Sequence, residues 1–174
     1  ITDDEQFQYA LATDFGNVIA YGNLIAEQPV SADDLDGEYA KLIRITERYT
    51  MHTREVTYTD SKGHTHTRTE IYWTWDRVKR EEDSTETFSF MGVSFPADKF
   101  SVSTHWQGSM IYDNSELRHY YVVADASMVG SVHTRIKDHM IADDNEFYAD
   151  TEPQAVVDRA VKNAGALVVV FWVF

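Results

Sequence analysis

Two histidines on one predicted strand are the first candidates for metal chemistry. His64 and His66 stand two positions apart, so on a β-strand their imidazoles point to the same face, where two such rings can share an ion. The hairpin register derived below places no carboxylate opposite His66, and His52 lies well up the other arm. We therefore favour a solvated tip rich in Thr, His and Arg, and keep His64 and His66 only as metal candidates.

An acidic segment over residues 138–150 is the second candidate. Asp143 and Asn145 carry oxygen atoms of the kind that hard cations prefer, and further carboxylates flank them. The segment has neither the ligand spacing nor the glycine of an EF-hand loop, so we predict a solvated acidic loop. We predict no cofactor for the protein.

Parts of a hydrolase are also present. Ser103-Thr104-His105 and Asp138-His139 supply hydroxyl, imidazole and carboxylate groups, which nucleophilic catalysis needs in contact. The sequence has no G-x-S-x-G elbow, phosphate loop or dinucleotide fingerprint. We therefore predict that the protein is not an enzyme, and a hydrolase using His105 or His139 remains an alternative.

Composition limits the partners. The chain has 29 acidic and 15 basic residues among 174, a net charge of −14, and such a surface repels the phosphate backbone of nucleic acids. There is no cysteine, which excludes disulfides, thiolate zinc sites and cysteine nucleophiles. A hydrophobic content of 43% is that of a folded globular protein.

The elements that would position these groups are organised around a predicted β-hairpin over residues 43–78. A turn at Ser61-Lys62-Gly63 uses glycine for the left-handed position and pairs Asp60 with His64. Stepping outward, this register places Arg54 opposite Glu70, Met51 opposite Trp73 and Tyr49 opposite Trp75, and its tip is expected to project as a solvated ribbon.

Alternation along the two arms predicts one wet face and one buried face, as is usual in an antiparallel sheet. If Trp73, Trp75, Trp106, Tyr120 and Tyr121 lined a cleft instead, the protein would be a soluble small-ligand or metal-binding domain, which is an alternative function. The residues predicted to be buried are Ile43, Ile45, Tyr49, Met51, Ile71, Trp73 and Trp75.

The rest of the chain completes an α+β fold, mostly antiparallel sheet with a helix near each end. Helical spacing predicts a helix over residues 3–13 and another beginning at Thr151. Apolar runs predict a strand over 17–26 and a strand pair over 119–124 and 128–136, and residues 80–84 are predicted to form a charged turn. We expect one extramembrane domain over 1–165. The apolar tail over 166–174 is interpreted as either a core strand or the start of a transmembrane segment.

Several short segments within about residues 17–77 form a pattern found in known membrane proteins. They are Gly22-Asn23-Leu24, Pro29-Val30-Ser31, Ala40-Lys41-Leu42-Ile43-Arg44, Glu47-Arg48-Tyr49, Tyr72-Trp73 and Trp75. In these segments the chain resembles the extramembrane domain of the transmembrane-protein-43 (LUMA-like) family and of the GIDE-type membrane ubiquitin ligases. A RING-type Cys/His cluster is missing, so ligase activity does not carry over.

The resemblance implies a domain attached to a membrane at one or both ends. Together with the apolar tail, it leads us to expect a non-catalytic extracytoplasmic domain of a small membrane-anchored protein, with a role in protein interaction or envelope maintenance. A soluble cytoplasmic protein is the alternative location.

Overall fold

The computed structural model describes residues 1–159, 161 and 162, and the fold is α+β with a mostly antiparallel sheet, as predicted. The predicted apolar tail over 166–174 lies outside these residues. A helical segment near the C-terminal end includes residues 153–159, 161 and 162. The other elements, in chain order, are α1 (Asp4–Ala12), β1 (Gly16–Ala26), β2 (Val30–Ala32), β3 (Leu35–Thr59), β4 (Thr65–Ser84), β5 (Thr87–Phe90), β6 (Val93–Pro96), a 3-10 turn (Ala97–Lys99), β7 (Phe100–Ser101), β8 (His105–Tyr112), β9 (Leu117–Asp125), β10 (Ser127–Lys137), β11 (Met140–Ile141) and β12 (Asn145–Ala149).

The chain forms two compact units. Unit 2 comprises Ile43–Glu82 and Trp106–Val122, and unit 1 comprises Ile1–Leu42, Asp83–His105 and the chain from Val123 onward. In unit 1, strands follow the order β6-β5-β1-β10-β12-β7, with β11 beside β10. All of these pairs are antiparallel except β12 with β7.

Unit 1 has a phenylalanine-rich core. Phe7 of α1 lies edge-on to Phe90, with ring centroids 5.5 Å apart, and Phe90 also meets Phe100 and Phe147. Asp3 caps α1, since its side chain accepts a hydrogen bond from the backbone N–H of Gln6. This core fixes the helix against the sheet by burial of apolar surface.

The hairpin of unit 2 has the predicted turn and register. The backbone N–H of Asp60 donates to the carbonyl oxygen of His64 at 2.9 Å, and Gly63 has φ +82°. Farther along, Arg54 forms an ion pair with Glu70 at 2.9 Å, and the rings of Tyr49 and Trp75 lie 5.1 Å apart. The glycine turn therefore aligns β3 with β4 as the sequence predicted.

The prediction that one face of the hairpin is buried was wrong for most of its length. Ile43 and Ile45 are buried, but Met51 and Trp73 are each 51% exposed and Ile71 is 64% exposed. Alternation separates two faces of a strand, yet it does not show whether another layer covers either face. In unit 2, the described residues provide no second layer of strands or helices over this one.

Three other local predictions were wrong. Residues 80–84 continue β4 instead of turning, and residues 138–150 contain β11 and β12 instead of one loop. Strands β9 and β10 do not form a hairpin together, because β10 pairs with β1 and β12, whereas β9 lies between β3 and β8. The short link between them at Ala126 therefore joins two different sheets.

Candidate interaction face

Unit 2 presents connected aromatic rings on one face of its sheet, in which β4, β3, β9 and β8 are neighbours in that order. Tyr49 stacks on Trp73 at 5.2 Å and meets Trp75, and Trp75 lies edge-on to Tyr112 at 6.0 Å. We call this surface the aromatic face. Its members are Tyr49, Trp73, Trp75, Trp106, Tyr112 and Tyr120.

Arg118 links these rings to β9. Its guanidinium lies 4.3 Å from the centroid of the Trp75 ring and 2.7 Å from the Glu47 carboxylate. Partial burial acts to lower the pKa of Arg118, but the hydrogen bonds with Glu47 and Tyr112 outweigh it and raise that pKa. Because side chains two apart on a strand share a face, Tyr120 lies on the same side, where it stacks on Trp106 at 4.3 Å.

The charge of unit 2 differs from that of the rest of the chain. It contains nine of the 15 basic residues and nine of the 29 acidic residues, so its formal charge is zero. The net charge of −14 therefore belongs entirely to the residues of unit 1. The aromatic face lies on the electrically neutral unit of an acidic protein.

The opposite side of β9 carries a buried polar cluster. His119 is 1% exposed, and its Nδ1 atom lies 2.9 Å from the Asp113 carboxylate and 3.2 Å from Nη2 of Arg44. Nε of Arg44 is buried and has no hydrogen-bond partner among the described residues. The His119 imidazole is therefore enclosed by neighbouring side chains and has almost no contact with solvent.

The metal candidates at the hairpin tip surround one carboxylate. Nε2 of His66 lies 2.8 Å from Oδ2 of Asp60, and Nδ1 of His64 lies 3.5 Å from the same oxygen. Asp60 also accepts hydrogen bonds from the backbone N–H groups of Lys62 and His64. Within the described part of the chain, no group of three His, Cys, Asp or Glu side chains is arranged to hold a metal ion.

The Asp60 carboxylate is expected to make the turn sensitive to acid. The hydrogen bond from His66 lowers its pKa most, the N–H of His64 lowers it further, and partial burial acts in the opposite direction. Because the folded pKa is depressed, this carboxylate stabilises the turn above its ordinary pKa, and that contribution is lost as the pH falls through the lowered value. Amide shifts of Lys62 and His64 in an NMR titration should follow an acid transition below the ordinary pKa of an aspartate side chain.

The variant Asp60→Asn is the control for that titration. Asparagine retains an oxygen that accepts the two backbone hydrogen bonds but has no titrating carboxyl group. The acid transition should therefore vanish in the variant. If the transition persisted, another group would be responsible for it.

The second pair of metal candidates lies in unit 1 and is occupied by protein contacts. Asp143 accepts a hydrogen bond from Lys99 Nζ at 2.5 Å. Asn145 is buried, and its amide nitrogen donates to the carbonyl oxygens of Lys99 and Ala142. These contacts connect β12 to the segment before β7, and they give Asn145 a structural role.

The two candidate hydrolase bases are not joined to a nucleophile. His105 Nε2 lies 3.8 Å from Asp125. The backbone N–H of His139 donates to the Asp14 carboxylate, and Nδ1 of its imidazole lies 3.1 Å from the carbonyl oxygen of Leu11. Neither imidazole contacts a Ser or Thr hydroxyl within the described residues.

The aromatic residues considered for a ligand cleft lie in two different environments. A concave site of about 500 Å³ lies beside α1, lined by residues that include Ile1, Asp3, Tyr9 and Phe15. Tyr121 is buried edge-on against His119. The other four rings belong to the aromatic face.

Comparison of the chain with models of protein families, with curated proteins and with solved structures gave no match. Among the described residues, no helix is both long enough and apolar enough to cross a membrane.

Sequence reasoning identified the aromatic residues but assigned them to a core, and it missed the cluster around His119. Exposure of the rings could have been suspected from Arg118 and Glu47, since charged residues accompany interaction surfaces more often than buried cores. The cluster gave no such signal, because Arg44 and His119 are 75 positions apart.

Proposed function

We propose that the chain is a non-catalytic interaction domain that binds another protein through the aromatic face of unit 2. The observation that carries this proposal is the exposure of large apolar side chains on one face of the sheet: Tyr112 is 61% exposed and Trp106 is 50% exposed. Monomeric proteins rarely leave such surface in water unless it serves a partner, a ligand or a membrane.

The residue types favour a protein partner. Trp, Tyr and Arg dominate the binding energy of protein interfaces, and Arg118 lies among the rings with its charge paired to Glu47. Mutual stacking also restricts the rotamers of Tyr49 and Trp73 before any partner arrives. Binding through these rings would then cost less side-chain entropy than binding through side chains that rotate freely.

The proposed role requires no reaction. His105 and His139 contact no hydroxyl among the described residues, and His119 is enclosed. The location on the extracytoplasmic side of a membrane is part of the proposal, and it rests on the resemblance of residues 17–77 to domains of membrane proteins.

Photocrosslinking in the native host tests the proposed surface. A benzoylphenylalanine at Tyr112, in the complete gene product, should form a discrete adduct with one other protein. Removing two rings elsewhere on the face by Trp73→Ala and Trp106→Ala should abolish that adduct.

The proposed location has its own test. Fractionation of the host cells should recover the protein in the membrane fraction. A protease added to intact cells should cleave it from outside.

The same probe at Tyr58 is the matched control. Tyr58 is also an exposed tyrosine of unit 2, 47% exposed, but it lies near the hairpin tip with Arg68 and His66 against its ring. Equal adducts from both positions, or an adduct unaffected by the Trp substitutions, would contradict a partner on the aromatic face.

A further inference from the structure

Strand β4 is a long edge strand. It extends from Thr65 to Ser84, and β3 is the one strand that pairs with it within the described residues. Its side chains include exposed apolar groups, among them Ile71 and Trp73. A long edge of this kind offers unpaired backbone groups to another chain.

The hairpin turn determines which backbone groups point to the free side. The hydrogen bond between Asp60 and His64 marks a bonded pair at the turn that joins β3 to β4, and bonded and non-bonded pairs alternate along an antiparallel ladder. The contacts of Arg54 with Glu70 and of Tyr49 with Trp75 keep this register along the hairpin. The odd-numbered residues of β4 up to Arg77 are therefore non-bonded toward β3. The backbone N–H and C=O groups of Trp73, Trp75 and Arg77 point to the open edge.

We propose that β4 pairs with β4 of a second copy of this chain, antiparallel about a twofold axis at Trp75. The outward backbone groups of Trp75 then bond to those of Trp75 in the second copy. Glu70 faces the second copy's Arg80, and Arg68 faces the second copy's Glu82. Symmetry doubles each contact, and these pairs fall at non-bonded positions, where facing side chains are closest.

Charge complementarity selects this register. A shift by two residues in one direction places Arg68 opposite Arg80, and a shift by two in the other direction places Glu70 opposite Glu82. Like charges directly opposite each other destabilise a strand pair. The register centred on Trp75 has no such conflict between residues 68 and 82.

The four charged side chains are already ion-paired within their own copy. Glu70 already binds Arg54 and Arg68, which lower its pKa and keep it ionised. Arg80 binds Glu82 of its own strand at 2.5 Å and is exposed. In the dimer, Glu70 and Glu82 can each bind an arginine of the second copy as well as one of their own, because a carboxylate accepts several hydrogen bonds.

Edge pairing uses backbone groups, so it leaves the aromatic face of each copy uncovered. The second copy is therefore a partner in addition to the one in the proposed function. If the chain forms no dimer but the Tyr112 crosslink to another protein is retained, the edge pairing alone is wrong. If the dimer forms without that crosslink, the proposed function alone is wrong.

Charge reversal in separate chains provides the test. Sedimentation velocity of the 174-residue chain should show a dimer, whereas Glu70→Arg and Arg80→Glu should each weaken dimerisation on the order of thirtyfold, because two facing pairs become repulsive. Mixing the two variants in equal amounts restores opposite charges at both positions. The mixture should therefore form a heterodimer.

Lys79→Glu is the matched control, since Lys79 is a neighbouring basic residue that would face Ile71 in this register. It should leave the dimer intact. If Glu70→Arg fails to fold, as judged by circular dichroism, the mixing experiment is repeated with Arg68→Glu and Glu82→Arg.

Hydrogen exchange gives an independent measurement. In the dimer, the amides of Trp73, Trp75 and Arg77 should become protected as the protein concentration rises. A chain that remains monomeric at all concentrations, or variants that dimerise alone as strongly as in the mixture, would overturn the proposal. So would a dimer that Trp106→Ala dissociates and the β4 charge reversals do not.

Discussion

Phe90→Ala is expected to lower the free energy of unfolding by about 3–5 kcal/mol, the usual cost of removing a buried aromatic ring. Phe90 is 0% exposed and packs against Phe7, Phe100 and Phe147. Alanine would leave a cavity where α1 and strands β5, β7 and β12 meet. Because each of these elements also packs against others, they cannot all move inward to fill the cavity. Urea unfolding, followed by circular dichroism, measures the loss.

Phe15→Ala is the matched control for Phe90→Ala. It removes the same ring from a position that is 64% exposed, so the loss should stay within about 0.5 kcal/mol. Equal losses for the two variants would mean that the phenylalanine core of unit 1 is not packed as described.

Gly130→Ala is expected to lower the free energy of unfolding by about 3 kcal/mol, the upper part of the range for overpacking. A Cβ at this position would lie 2.2 Å from the carbonyl oxygen of Tyr148 and 2.9 Å from Cα of Ala149. Both atoms belong to the backbone of β12, which pairs with Gly130 itself. The strand would have to move away, and the pairing of β10 with β12 would weaken.

Gly22→Ala is the control, because Gly22 is the direct partner of Gly130 across β1 and β10. Its added Cβ would meet the Met91 side chain at 2.9 Å, and a methionine can change rotamer where a backbone cannot. Thermal unfolding should therefore show a smaller loss for Gly22→Ala than for Gly130→Ala. The reverse order would contradict the strand register.

The features that the sequence revealed were those encoded within a few residues. Gly63, with Asp60 and His64 around it, specifies a turn, and the turn determines the register of the arms that follow it. Helix spacing and caps likewise identified α1 to within a residue or two at each end. Each signal depends on local backbone chemistry, which does not require knowledge of the rest of the fold.

The features that the sequence concealed depend on distant partners. Trp73 has the same alternation whether a second layer covers it or water does. The link at Ala126 resembles a hairpin turn, but β10 gains more by lying along β1, with which it is paired from Gly16 to Ile25. At the end of β10, Asp138 and His139 have positive φ values. Neither residue is a glycine, so no glycine in the sequence marks the turn to β11.

The uneven placement of charge in the chain has a kinetic consequence. A negatively charged protein diffusing toward this molecule is repelled by the residues of unit 1, whereas unit 2 exerts no net repulsion. Collisions are thereby biased toward unit 2. Added salt screens the repulsion, so the association rate of an acidic partner should rise with ionic strength, opposite to the decline seen when oppositely charged proteins attract each other.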